Sequence, residues 1–250
     1  MRGYDTAELG GGFADQVLAA QWFWSVRSPS IVANHLLSVN GSPYSAFNNP
    51  TGVFSHFSVG DVIICEDAGD VPQPFNPDDY LATWTARLTA AVATGARVVA
   101  LTMYDTSQSA WQAMGYNAAP ADSRFDVVAV GSPSGISRSP NDCIRDAAAA
   151  TGAEVYDFGA DALTFAQWCY GQYLLKIVNN DGVHNRLWLG IKMTYGILKH
   201  LGLATLYVPS QHLLEAIVVP NWSTGSPNIG YGSPYWSQGA CDAVLAQACS

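Results

Sequence analysis

Val59-Gly60-Asp61-Val62-Ile63-Ile64-Cys65-Glu66-Asp67-Ala68-Gly69-Asp70 is a short apolar run that passes straight into an acidic, glycine-containing loop. The run shows no alternation of polar and apolar residues, so it reads as a strand buried on both faces. Outward from it, Pro77 to Thr94 reads as a helix and Ala96 to Thr102 as a second buried strand. Unbroken apolar strands alternating with helices imply a parallel sheet covered on both sides, a three-layer α/β/α sandwich.

The rest of the chain extends that pattern. Downstream, Asp105 to Asp122 reads as an irregular excursion, Phe125 to Val130 as a strand and Gly131 to Pro140 as a loop rich in Gly, Ser and Pro. Asn141 to Thr151 reads as a helix with an Ala face, Glu154 to Phe158 as a strand, and Phe165 to Val178 and Leu187 to Leu201 as helices. Upstream, Gly10-Gly11-Gly12 leads into an amphipathic helix, Phe13 to Trp24. Ile31 to Val39 is a short strand before the turn Asn40-Gly41-Ser42-Pro43. After Gly202 the composition changes: Glu215 to Pro220 is a strand candidate, and Asn221 to Gly239 is dense in Gly, Ser, Pro, Trp and Tyr. The expected division is an α/β domain over 1–205 and an ordered, aromatic C-terminal extension over 206–250.

Composition narrows the function classes. A net charge of -9 with only eleven Lys and Arg argues against nucleic acid as a partner, because nothing supplies a basic face for a phosphate backbone. No apolar run reaches the roughly 18 residues of a membrane span. The start, Met1-Arg2-Gly3-Tyr4-Asp5, lacks the apolar core of a signal peptide, so synthesis in the cytoplasm is expected, with the protein kept inside or carried out as virion proteins are. Eight Trp and twelve Tyr suit contact with protein neighbours or carbohydrate. Five Cys form no C-x-x-C pair. A Cys241 to Cys249 bridge is one reading and free thiols the favoured one. No cofactor or metal is expected: Glu66, Asp67, Asp70 and His184 lack the spacing of a ligand set.

The chemistry centres on Asp181-Gly182-Val183-His184, between the last two helices. A carboxylate three residues before a histidine can hold one imbidazole nitrogen and orient the ring as a general base, although Asn179 to Gly182 is also an ordinary turn sequence. In its order of strand, acidic loop, helix, strand and late Asp-x-x-His block, the chain resembles the SGNH (GDSL-type) hydrolases over roughly Gly3 to Gly202.

That resemblance implies a flavodoxin-like sandwich and a Ser/Thr-His-Asp ester hydrolysis with His184 as base and Asp181 as its orienter. Thr6 stands where the family has its nucleophilic serine, and an alternative alignment puts Asp5 there instead. The strand expected before that block is missing, with Glu215 to Pro220 a candidate to fill its place and Ser223 just beyond as an outside nucleophile. Gly41 corresponds to the backbone donor for the oxyanion, and Gly69 is placed with it at the oxyanion and substrate. Asp67-Ala68-Gly69-Asp70, with Asp70 at the substrate, replaces the family's Gly-x-Asn-Asp, so the asparagine donor is absent.

Two functions follow. One is hydrolysis of an ester, such as an O-acyl group on a glycan. The other is an inactive relative of that fold serving as a structural or glycan- and receptor-binding module, as in a phage tail or capsid surface, in homo-oligomers or beside virion neighbours.

Overall fold

The fold is built around Val62–Cys65 (β1), in which Ile63, Ile64 and Cys65 are buried. The structure, a computed structural model, describes residues 58–65, 75–102, 108–116, 134–177, 187–204 and 238–250. Among the described residues, Arg97–Leu101 (β2) and Glu154–Tyr156 (β3) join it in a three-stranded sheet in the order β1-β2-β3. Both pairings are parallel, Val62 lying opposite Arg97 and Val99 opposite Glu154. The residues form an α/β arrangement, as the unbroken apolar runs implied.

The crossover helices are written locally. Pro77–Val92 (α1) follows Asn76, whose side chain accepts from the Asp78 N–H at 3.0 Å, and Pro77 needs no partner at the first helical position. Tyr80, Trp84, Leu88 and Ala91 recur at helical spacing and are fully buried. Pro140–Thr151 (α3) opens with a reciprocal capping box between Ser139 and Asp142 and stops at Gly152, which takes a left-handed φ of 77°. It buries Cys143, Ile144, Ala147 and Ala148 and packs against α1, and both helices contact β2. With the strands in consecutive order, crossovers of the same hand lie on the same face of the sheet, in keeping with the packing of α1 on α3.

A second group follows β3. Phe158–Tyr173 (α4), Leu187–His200 (α5) and Gln238–Ala248 (α6) pack on one another, and α5 also packs on β3. Helix α4 begins seven residues before the expected Phe165, and β3 stops at Tyr156. The reason is tertiary: the Thr102 hydroxyl, at the end of β2, accepts from the Gly159 N–H at 3.0 Å and secures a first turn whose own glycine disfavours it. Within the expected excursion, Gln108–Ala113 (α2) is a short helix whose buried Trp111 stacks on Tyr116 at 4.5 Å.

At the C-terminus, α6 buries Cys241, Val244 and Ala248. The five cysteines are free. Cys241 and Cys249 are eight residues apart along this helix and its last turn, about 12 Å of rise, beyond the reach of a disulfide. No described helix is long and apolar enough to cross a membrane.

Candidate site at the carboxyl edge of the sheet

In an open parallel sheet, ligands meet the chain where strands end at their carboxyl termini. Here that edge is marked by Thr102 and Asp157, the residues that directly follow β2 and β3. Thr102 is wholly buried, and its hydroxyl donates to Asp157 Oδ1 at 2.6 Å. Arg145, from α3, donates one guanidinium nitrogen to both Asp157 oxygens at 3.1 and 2.9 Å, and another to Asp142 at 3.1 Å. Asp157 is the N-cap residue of α4, yet its side chain makes no capping bond: the carboxylate turns to Arg145 while Thr102 takes over the helix N-terminus.

The electrostatics of this edge are those of a closed network. Burial pushes the Asp142 carboxyl up, but the two hydrogen bonds from Ser139 and the neighbouring Arg145 outweigh it, holding the group below the ordinary carboxylate range. One residue before Asp157, the Tyr156 hydroxyl donates to Asp161 Oδ2 at 2.6 Å. Burial, with that carboxylate, drives the phenol upward, so it remains a donor. Thiol chemistry finds no support: burial pushes Cys143 up to about 12 and Cys249 up to about 11, far from the thiolate a nucleophile needs. No group of described residues could hold a metal ion.

Helix α5 gives this edge its direction. Its last residue, His200, places Nε2 2.9 Å from Glu154 Oε2, at the start of β3. One turn earlier, Gly196 lies against the Tyr156 hydroxyl, at the end of β3. One turn earlier again, Lys192 Nζ is 3.9 Å from Asp161, in the first turn of α4. The helix therefore runs antiparallel to β3, and its first residues lie beyond the carboxyl end of the sheet. At the opposite edge, Arg97 grips Glu154 through two nitrogens at 2.6 and 2.9 Å and donates to the carbonyls of His200 and Leu201.

Of the residues read from the sequence as the site, Thr6, Gly41, Gly69, Asp70, Asp181, His184 and the outside candidate Ser223 all lie outside the described residues. What sequence reading missed at this edge is Thr102, Arg145, Asp157 and Lys192. Thr102 closes the apolar run of β2 in the sequence, but nothing local says which groups it meets. No family model, curated protein or solved structure matches the chain.

Proposed function

We propose that the chain is a divergent SGNH-type hydrolase on a three-layer α/β/α sandwich, cleaving an ester such as an O-acyl group of a glycan. The observation that carries this reading is the direction of α5. It opens at Leu187, three residues after His184, on the carboxyl side of the sheet, and three residues of chain span at most about 10 Å. That direction supports reading a base just before α5 as standing on the side of the sheet where the substrate of a parallel sheet is expected. Asp181 orients His184, the Thr6 hydroxyl attacks the acyl carbon, and the backbone N–H of Gly41 takes the oxyanion, with Gly69 and Asp70 beside the substrate. Loss of the family's asparagine donor removes on the order of 3 kcal/mol of transition-state stabilisation, so slow turnover is expected.

The test is hydrolysis of a short-chain aryl ester and of an acetylated sugar. His184→Ala should abolish turnover with an unchanged melting temperature, and Thr6→Ser should raise the rate by removing the methyl that crowds the attack. The acidic Asp67-Ala68-Gly69-Asp70 loop favours a second reading, an inactive glycan- or virion-binding module. That reading expects no turnover from the native chain, no gain from Thr6→Ser, and measurable affinity for a glycan or a neighbouring protein.

A further inference from the structure

Glu154 and Tyr156, two residues apart on β3, share one face of the strand and both meet α5, whereas α3 packs on α1. The crossover from β2 to β3 thus carries its long helix to the α1 side, and the chain leaving β3 carries its helices to the α5 side. On the way to α3, the short helix α2 reaches α4, with Gly115 against the Tyr170 ring, so that excursion visits both groups. Open α/β sheets bind their ligands beyond the strand ends where neighbouring connections part in this way. Thr102 and Asp157 stand at that point, and Arg145 joins Asp157 to Asp142. The side chains of Asp142, Arg145 and Asp157 are 52, 42 and 45% exposed, so the row is open to solvent. It is also fixed in place, because the buried Thr102 hydroxyl holds Asp157 while the Ser139 N–H and hydroxyl hold Asp142.

We propose that Asp142, Arg145 and Asp157 form a subsite for neighbouring hydroxyls of a sugar ring. A carboxylate offers about four acceptor positions. Asp157 has three engaged, by Thr102 and by Arg145 on both oxygens, and Asp142 has three engaged, by Ser139 twice and Arg145 once. Arg145 gives Nη1 to Asp142 and Nη2 to Asp157, which leaves its Nε–H without a partner among the described residues. The row therefore presents a spare acceptor on either side of a spare donor. An anion would meet two carboxylates around a guanidinium already paired, and no group of described residues could hold a metal ion. A sugar hydroxyl both donates and accepts, so one of an adjacent pair can donate to a carboxylate while the other accepts from the guanidinium. Both bonds are charge-assisted, and stronger for it. The subsite rests on the reading that the substrate or partner is a glycan, and not on hydrolysis.

The experiment titrates the full chain with the methyl glycosides of glucose, mannose, galactose and N-acetylglucosamine, and with sodium acetate and cyclohexanol as controls. NMR follows the Arg145 Nε–H signal, identified by its loss in Arg145→Lys, and the amides of Asp157 and Gly159. At least one glycoside should shift these signals with the millimolar affinity a single sugar ring allows, and the controls should not. Arg145→Lys and Asp142→Asn should each weaken that binding about tenfold, the loss of one charge-assisted bond, as read at the two amides. Their melting temperatures should stay within about 4 °C of the native value. Arg138→Lys, whose pair with Asp146 takes no part in the row, should bind as the native chain does. No shift with any glycoside, undiminished affinity in both variants, or acetate shifting the same signals as strongly would overturn the proposal. So would binding lost in the variants only with a larger fall in melting temperature. The titration is read without turnover, so a native chain that binds a glycoside and cleaves no ester would support the subsite and remove the hydrolase reading alone.

Discussion

Leu174 holds a backbone conformation that its side chain opposes. It closes α4 with φ 53° and ψ 27°, in the left-handed region where a β-carbon crowds the following carbonyl, and it is the one non-glycine residue with positive φ among the described residues. Its N–H nevertheless bonds the Tyr170 carbonyl at 2.8 Å, and the Leu175 N–H bonds that of Cys169, so the turn is set by hydrogen bonds rather than by the leucine. The side chain is 74% exposed, so little packing compensates for the strain. Leu174→Gly is expected to stabilise the protein by about 0.5 to 1 kcal/mol, seen as a higher urea midpoint with an unchanged slope. A lower midpoint would show that the exposed leucine makes contacts worth more than its strain.

At the scale of elements, the clamp of Arg97, Glu154 and His200 joins the starts of β2 and β3 to the end of α5. The hydrogen bond from Arg97 holds the Glu154 carboxyl below its ordinary value of 4.5, against the opposing effect of burial and with further help from His200. Because the folded value lies below the unfolded one, the unfolded chain binds more protons in this window, and stability falls as pH falls. The contribution is complete above about pH 4.5 and is lost as pH drops through the lowered value. Asp142, depressed by Ser139 and Arg145, acts in the same sense. In thermal melts from pH 7 to 3, the margin by which the native protein exceeds Glu154→Gln should shrink below pH 4.5. A constant margin would assign the effect to packing instead of charge. With both side chains about two-fifths exposed, solvent screening keeps the margin small.

At the scale of the whole molecule, α6 belongs to the second helix group, since Val244 and Ala248 are wholly buried with residues of α4 and α5 in one apolar cluster. Val244→Asp would put an unpaired carboxylate into that cluster and should cost more than about 3 kcal/mol, while Ala246→Asp, on the exposed face of the same helix, should leave the melt unchanged. Equal melting of the two variants would mean that this helix rides on the surface and adds nothing to the core.

What the chain carried locally was legible without coordinates. Val62 to Cys65 and Arg97 to Leu101 were readable as buried parallel strands because an apolar run without alternation has few other homes, and α1 and α3 were bounded by caps and prolines written within a few residues of their ends. The boundaries of α4 and the polar edge were not legible. Thr102 meets Asp157 and Gly159 across 55 and 57 residues, Arg97 meets Glu154 across 57, and Lys192 meets Asp161 across the α4–α5 packing. The sequence by itself therefore determined which segments become strands and helices, because hydrophobic period and capping act within one turn or one run. Only the tertiary structure decided which polar groups those segments bring face to face, because that depends on strand order and helix register, which no local stretch encodes.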